Sequence, residues 1–332
     1  MSTIREVKRS VSKAGLWLLK HLQRSTLPQV GRTEVAYSGR LQCSGVEFFV
    51  GTKTGLLYYD GQRLLRFFEG RVYGISYYAG RWYVAWNHRV HLGEKPLGEM
   101  ASIISFRFVN GHVEDLKVDA APLDEEVHQI DAWNGHVYVT DTAHNRVLAF
   151  RREGDDLTYE TAYYPNGTLR DGKASPNYAH INSVFCNGGL IYLMYHNQTE
   201  KTGRGSEVAV LQPEWEIEKI IKTSGNSAHN VYREGDQVVF CDSMNGRLMQ
   251  GDRSLMDVDS YMRGLAVSEA FWLVGGSEHA KRGERGFTDG VIYQYDPKHN
   301  ETVATMEIPG CGSLYEIRLI TPPDLAISTD ES

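Results

Sequence analysis

The stretch VHQIDAWNGHVYVTDTAHNRVLAF, residues 127–150, decides the fold of this chain. It contains a β-rich run, a turn with glycine, a second β-rich run and then a third. Short runs of this kind, bounded by Gly, Asn and Asp, are typical of antiparallel strands. Similar segments begin at Val72, Ala179, Ala228 and Met262, with 34 to 55 residues from one start to the next. Repeats of this length are typical of the four-stranded blades of a β-propeller.

The two ends of the chain supply the remaining blade. The unit QCSGVEFFVGTKTGLLYYDG precedes the first repeat, and SLYEIRLI, from Ser313, has the pattern of a last inner strand. A blade shared between both ends closes the ring and leaves no open sheet edge. The sequence therefore predicts an all-β, six-bladed propeller over residues 33 to about 322. The strand at 314–319 is expected to complete a sheet with residues from the 35–49 region.

Composition excludes several other classes of protein. Of the 332 residues, 41% are hydrophobic and 23% charged, which are ordinary globular values that argue against disorder and coiled coil. No run approaches the roughly 18 apolar residues of a membrane-spanning helix. The four cysteines are scattered without a CxxC pair, and the N-terminus lacks a convincing secretory signal. Reduced, mostly buried thiols in a cytoplasmic protein are expected.

The N-terminal segment, residues 1–32, differs from the rest of the chain. It holds seven Lys or Arg against one Glu, so the remainder of the chain is acidic and is not expected to bind nucleic acid. Apolar residues at spacings of three and four predict an amphipathic helix over residues 4–23. This helix is interpreted either as packing on the body or as contacting a membrane surface or a protein partner. Residues 323–332 are predicted to form a flexible acidic tail.

The candidate functional residues begin the innermost strands, which line the channel of a propeller. One long side chain with a polar end recurs at that position in every repeat. These residues are Tyr73, His128, His180, His229, Arg263 and Tyr315, with Glu316 next to the last.

Three imidazoles on successive blades point to a divalent transition metal, Zn or Fe, bound by His128, His180 and His229. The alternative is that these histidines form a polar channel lining, or bind an anionic ligand, without metal. Tyr73, Arg263 and Tyr315 are the catalytic candidates, because Arg binds carboxylates and Tyr can exchange a proton. Asn182 and Glu316 are the candidates for supporting the histidines from behind.

Two long insertions are interpreted either as loops that cover this channel or as solvated loops. One follows His196 (HNQTEKTGRGSEV), and the other, from Gly276, carries the cations Lys281, Arg282 and Arg285. His196 itself is interpreted as a structural or exposed turn residue. Long loops beside one another are suited to covering a site.

The phrase VYVTDTAHNRVLAF, echoed by VVFCDSMNGRLMQ, resembles the repeats of NHL-type propellers. That resemblance implies that Asp141 with Asn145 and Arg146, and Asp242 with Asn245 and Arg247, lock the turn between the second and third strands. Such residues are structural rather than catalytic.

The three inner histidines, with Tyr and Arg, resemble the peptidyl-hydroxyglycine amidating lyases. The resemblance implies that His128, His180 and His229 hold a zinc ion, while Tyr73 or Tyr315 and Arg263 assist cleavage. The chain departs from that family because its histidines fall on successive rather than alternate blades, and because the disulfides of the family are not evident.

Two functions follow from these observations. The first is a metal-dependent enzyme of lyase or hydrolase type, or an oxygenase if the metal is iron, acting on a small polar or anionic substrate. The second is a non-catalytic propeller that binds a peptide or protein partner on its face. The oligomeric state stays open.

Overall fold

The computed structural model describes residues 27–92, 95–124, 126–165, 178–281 and 283–327, with side chains at all of these except 89–92 and 95–99. The helix predicted over residues 4–23 lies outside the described residues. Within the described part of the chain, no helix has the length and apolar character needed to cross a membrane.

The described strands form six antiparallel sheets, as predicted, and their inner strands contact one another in a closed ring. Blade 1 combines β26 (Leu314–Thr321), β3 (Glu47–Thr52), β4 (Gly55–Tyr59) and β5 (Leu64–Glu69). Blade 2 contains β6 (Arg71–Tyr78), β7 (Arg81–Leu92), β8 (Lys95–Val109) and β9 (His112–Leu123). Blade 3 contains β10 (Val127–Trp133), β11 (His136–Asp141), β12 (Arg146–Glu153) and β13 (Asp156–Tyr163).

The second half of the ring repeats this arrangement. Blade 4 contains β14 (Ile181–Asn187), β15 (Leu190–Tyr195), β16 (Glu207–Leu211) and β17 (Ile217–Lys222). Blade 5 contains β18 (His229–Glu234), β19 (Gln237–Asp242), β20 (Arg247–Gln250) and β21 (Arg253–Asp257). Blade 6 contains β22 (Tyr261–Val267), β23 (Trp272–Ser277), β24 (Gly290–Asp296) and β25 (Glu301–Ile308). A short helix α1 (Thr199–Thr202) and two 3₁₀ turns (Thr142–His144 and Ser243–Asn245) lie between strands.

The ring is closed twice. The predicted closure is confirmed, since β26 pairs with β3 and places Leu319 opposite Phe48 and Arg318 opposite Phe49. In addition, β1 (Thr33–Val35) pairs with the outer strand of blade 1 and β2 (Ser38–Gly39) with the outer strand of blade 6. The segment from 33 to 39 therefore covers the outer edges of the two blades that meet at the closure.

The core lies between neighbouring blades. Successive side chains of a strand point to opposite faces of its sheet. On β3, Phe48 and Val50 pack into the cluster shared with blade 6, while Phe49 packs into the cluster shared with blade 2. Because both faces of such a strand are covered, its sequence is a continuous apolar run rather than an alternating one.

All six inner strands carry an irregularity near their first residues. The register shifts fall at Val72/Gly74, Val127/Ile130, Ile181/Ser183, His229/Val231, Met262/Leu265 and Leu314/Glu316. A β-bulge leaves a residue out of the ladder and re-aims its side chain. In blades 1, 2, 3 and 6 the skipped residues include Tyr315, Tyr73, His128 and Arg263, respectively. In blades 4 and 5 the skipped residues are Asn182 and Asn230, and His180 and His229 lie just before the bulge.

Each of the two turns implied by the NHL resemblance keeps one of its two expected contacts to the aspartate. In blade 3, Arg146 Nε donates to Asp141 at 2.7 Å, while Asn145 Oδ1 accepts from the backbone N–H of Ala179 instead. In blade 5, Asn245 Nδ2 donates to Asp242 at 2.9 Å, but Arg247 donates to Asp257 instead. The register explains this difference, since Arg247 stands opposite Asp257 on β21.

The first half of the predicted acidic tail packs on the body. Residue Asp324 is buried and accepts hydrogen bonds from the backbone N–H groups of Val267, Leu319 and Ala326. Ala326 and Ile327 are buried as well. Residues 324, 326 and 327 are therefore part of the packed body rather than of a flexible tail.

Candidate functional site

A cavity of about 740 Å³ opens at one mouth of the channel. The structure brings all six residues predicted at the starts of the inner strands into its lining, namely Tyr73, His128, His180, His229, Arg263 and Tyr315. Both long insertions also contribute, through Gln198, Glu200 and Lys201 on one side and Gly283 and Arg285 on the other. Described residues of both insertions therefore lie beside the channel.

The aromatic and imidazole rings form a continuous row around this cavity. The centroid of the Tyr73 ring lies 4.4 Å from that of Tyr315 and 4.6 Å from that of His128. His128 and His180 are 5.7 Å apart. The row continues through one more histidine, His196, at 4.5 Å from His180 and 5.3 Å from His229.

The hydrogen bonds of the three predicted histidines determine which ring nitrogen carries the proton. His128 Nδ1 lies 2.9 Å from the carbonyl oxygen of Glu126, which can only accept, so this Nδ1 is the donor. His180 Nδ1 lies 3.0 Å from the Tyr178 hydroxyl, and that hydroxyl donates to the carbonyl oxygen of Thr142. The Tyr178 hydroxyl oxygen therefore accepts a hydrogen bond from His180 Nδ1–H.

His229 follows the same rule. Its Nδ1 lies 2.8 Å from Ser243 Oγ, and that oxygen lies 3.4 Å from the carbonyl oxygen of Cys241; assigning the hydroxyl hydrogen to Cys241 makes Nδ1 the donor. In each neutral ring the lone pair is then on Nε2. The three predicted histidines thus share one tautomer, assigned from the hydrogen-bond network.

His196 is the site residue that the sequence interpretation missed. It directly follows β15, and its backbone N–H donates to the carbonyl oxygen of His180. The end of a second strand therefore lies beside the start of the first strand in the same blade. Comparing the residues that directly follow the second strand of each repeat could have identified His196 as a site residue.

Arg263 is the most deeply placed cation of the cavity. The residue is only 5% exposed, and its guanidinium carbon lies 4.8 Å from the Tyr315 ring centroid and 5.4 Å from that of Tyr73. Among the described residues, its side chain has neither a hydrogen bond nor an ion pair. Cation–π contacts thus support a buried guanidinium that has no carboxylate partner.

The electrostatic balance of the cavity favours anions. The described lining includes five cationic side chains and two carboxylates: Lys53, Arg71, Lys201, Arg263 and Arg285 against Glu126 and Glu200. Burial, followed by the charge of Arg263, holds the pKa of His229 well below its usual value. The same two causes lower the pKa of His196 to about 3. Both imidazoles are therefore neutral at neutral pH.

A polar hub lies among the inner strands behind the cavity. Glu316 is fully buried and accepts from Gln129 Nε2 at 2.6 Å and Asn230 Nδ2 at 3.1 Å. It also pairs with Arg318 at 2.8 Å, and Arg318 donates to backbone carbonyl oxygens of β6 and β22. Gln129 Oε1 accepts from the backbone of β14. The hub therefore connects all six inner strands.

The two residues predicted to support the histidines belong to this inner layer. Neither Glu316 nor Asn182 is part of the described cavity lining. Asn182 Nδ2 donates to the carbonyl oxygen of Ala228, which connects blades 4 and 5. Their contacts in the structure are with neighbouring strands rather than with the imidazoles.

Within the described residues, no group of three or more His, Cys, Asp or Glu side chains is placed so that it could hold a metal ion. The four cysteines are free thiols, and three of them are buried. The metal prediction thus rests on the donor chemistry of the histidines.

Comparison with known proteins supports the fold alone. No family description and no curated protein matches the chain. A chain in the crystal structure of a nidogen/laminin complex is similar with a TM-score of 0.58 and 9% identity, over 83% of this chain and 98% of that one. A protein of unknown function from Bacteroides caccae is similar with a TM-score of 0.55 and 12% identity, over 84% and 100%. A protein from Lactobacillus plantarum gives a TM-score of 0.54 and 9% identity, over 83% and 99%.

Proposed function

We propose that this protein is an enzyme of lyase or hydrolase type that acts on a small anionic substrate in the cavity at the channel mouth. The observation that carries the proposal is the buried Arg263, which has no carboxylate partner among the described residues and lies in the same cavity as four imidazoles. The fold itself does not decide the function, since propellers host many activities.

The cost of burying the positive charge of Arg263 favours an anionic substrate. A guanidinium cannot lose its proton in a protein, and a buried charge without a partner is costly. The rings of Tyr73 and Tyr315 offset only part of that cost. A carboxylate or phosphate group placed against Arg263 supplies paired, charge-assisted hydrogen bonds.

Groups that can accept a proton and donate a hydrogen bond lie beside that anion site, and they favour catalysis. The neutral imidazole of His229, with its lone pair on Nε2, can accept a proton. Burial keeps the pKa of Tyr315 above its usual value, so this phenol stays protonated and can donate a hydrogen bond. A base and a donor facing one anion site are the parts that proton transfer requires.

A narrower proposal concerns a divalent transition metal, Zn or Fe, on His128, His180 and His229. Histidine ligands usually donate Nδ1–H to an oxygen and bind the metal through Nε2, and all three residues have that tautomer. As placed, the rings do not converge on one point, so binding requires them to move. A bound metal would act as a Lewis acid or activate a water molecule.

Metal analysis of protein purified without a tag tests the narrower proposal. We expect close to one equivalent of Zn or Fe, and loss of most of it in His128→Ala, His180→Ala or His229→Ala. The exposed His299→Ala is the control, which should retain its metal. Less than about a tenth of an equivalent, unchanged after reconstitution, overturns metal binding and leaves the anion site to be judged separately.

Titration calorimetry tests the anion site. Inorganic phosphate and malonate should bind the wild-type protein, and Arg263→Met should abolish that binding. Arg107→Met, which changes an exposed arginine on an outer part of blade 2, should leave it unchanged. If the wild-type protein binds neither anion, the enzyme proposal is wrong and the peptide-binding alternative is favoured.

A further inference from the structure

We propose that His196 binds the anionic substrate directly, by donating its Nε2–H to an oxygen atom of the anion held at Arg263. This inference rests on the proposed function and adds to it a substrate-contacting residue and a chemical requirement. The substrate must present an acceptor oxygen, as a carboxylate or a phosphate group does, on the side of the cavity where blade 4 lies.

The tautomer of His196 is opposite to that of the other three histidines. The backbone N–H of Gln198 donates to His196 Nδ1 at 3.0 Å. A backbone N–H can only donate, so this Nδ1 must accept and carries no proton. The proton of the neutral ring is then on Nε2. Among the four imidazoles, His196 is therefore the donor, while the others present a lone pair.

The backbone around His196 fixes the ring in place. Asn197 and Gln198 both adopt left-handed conformations, with φ of 57° and 50°. The Asn197 amide group donates to the carbonyl oxygen of Gly205, and its backbone N–H donates to that of Ala179. Two successive residues with positive φ bring the Gln198 N–H back towards the His196 side chain. This strained turn sets the tautomer through geometry alone.

The donor faces the cavity without a protein acceptor. No described residue accepts a hydrogen bond from His196 Nε2, and this nitrogen is not sealed from the cavity. His196 lines the same space as Arg263, and its ring stands between those of His180 and His229. An N–H in such a place has only water or a ligand to bind. An anion on Arg263 supplies the acceptor.

Two variants separate the two nitrogens of this ring. In His196→Asn the side-chain oxygen can replace Nδ1 as the acceptor for Gln198, but nothing replaces Nε2–H. In His196→Gln the amide nitrogen reaches the position of Nε2, but the acceptor for Gln198 is lost. If His196 only supported the loop, Asn would preserve function and Gln would impair it. Our proposal predicts the reverse for anion binding.

The experiment is calorimetric titration of inorganic phosphate, and of malonate as the carboxylate probe, into the wild type and both variants. A hydrogen bond to a charged group corresponds to a change of about 10- to 100-fold in Kd, and we expect that loss in His196→Asn. His196→Gln should stay within about threefold of the wild type. Comparison of the two probes shows which anion the cavity prefers.

The outcomes distinguish this inference from the proposed function. If Arg263→Met loses anion binding but His196→Asn binds as tightly as the wild type, the anion site stands and the role of His196 is wrong. If the wild type binds neither probe, both fail. Thermal unfolding of each variant shows whether it is folded, so that a loss of binding is not mistaken for a loss of structure.

A spectroscopic measurement tests the tautomer without any ligand. Long-range ¹H–¹⁵N correlation spectra of chelator-treated protein distinguish a protonated Nδ1 from a protonated Nε2 in each histidine. We expect Nε2–H for His196 and Nδ1–H for His128, His180 and His229. A His196 ring protonated on Nδ1 overturns the inference irrespective of anion binding.

Discussion

At the scale of single residues, two buried arginines show how differently one side chain is used. Arg318 is paired with Glu316 and donates to three backbone carbonyl oxygens. Arg263 lies between two tyrosine rings and has no such partner among the described residues. The first arginine stabilises the fold, and the second keeps a positive charge available in the cavity.

This contrast predicts that the same substitution lowers the free energy of unfolding at Arg318 but hardly changes it at Arg263. Arg318→Met breaks a buried ion pair and leaves Glu316 uncompensated, so the free energy of unfolding should fall by about 3–5 kcal/mol. Arg263→Met removes a buried charge that has no carboxylate partner, so the change should be within about 1 kcal/mol of zero. Urea unfolding of the two variants measures both values. A larger loss in Arg263→Met than in Arg318→Met contradicts the assignment.

The buried imidazoles predict destabilisation in acid. The pKa of His196 is near 6.5 in the unfolded chain but about 3 in the folded protein, so the unfolded state binds more protons between these values. The stability this group contributes is complete above pH 6.5 and is lost as the pH falls towards 3. The loss is about 1.4 kcal/mol per pH unit.

A difference measurement isolates this residue, because buried carboxylates such as Asp131, whose burial raises its pKa to about 6, act in the opposite direction. Between pH 6.5 and 5, the wild-type protein should lose about 2 kcal/mol more than His196→Asn. The measurement is urea unfolding of chelator-treated protein at each pH. Parallel pH profiles for the two proteins contradict the prediction.

At the scale of the elements, the inner strands decide where the site residues go. Each carries a bulge near its start, and small residues let neighbouring inner strands approach closely. At Gly74 on β6, an added Cβ would lie 2.6 Å from the backbone nitrogen of Ile130 and 2.8 Å from the Cα of Gln129 on β10. Blades 2 and 3 are therefore in backbone contact beside the hub.

Gly74→Ala should force these two strands apart. The clash is with backbone atoms, which cannot rotate away, so we expect a loss of about 1–3 kcal/mol in the free energy of unfolding. Gly31→Ala is the matched control, because its added Cβ meets nothing within 4 Å and its φ is not positive. Thermal unfolding of both variants tests the prediction. Equal stability of the two variants would show that the strands have room to separate.

At the scale of the whole molecule, the strand that closes the ring also supplies part of the site. Strand β26 completes blade 1 and also carries Tyr315 of the cavity and both members of the Glu316–Arg318 pair. The strands β1 and β2 then cover the outer edges of the joined blades. An unclosed chain would lack the hub and expose the edge of β3.

Truncation tests this dependence. A chain ending at Ser313 should lose cooperative unfolding and elute as large aggregates, because β3 presents an unpaired apolar edge. A chain ending at Ile327 keeps β26 and the buried Asp324, and it should unfold like the full-length protein. Size-exclusion chromatography and thermal unfolding distinguish these outcomes. A monomeric, cooperatively folded chain ending at Ser313 contradicts the proposed role of closure.

The sequence by itself determined the repeat, and through it the six blades, the shared closing blade and six of the residues that line the cavity. These follow from local rules, since strand periodicity and the spacing of turns place equivalent residues at equivalent heights in a ring. Only the tertiary structure decided the features of the site that depend on residues distant in sequence. The tautomers of the histidines depend on partners from other parts of the chain, and His196 enters the site through a turn with two left-handed residues. That no described carboxylate pairs with Arg263 likewise depends on where distant side chains fold, because Glu316, the neighbour expected to serve the site, pairs instead with Arg318.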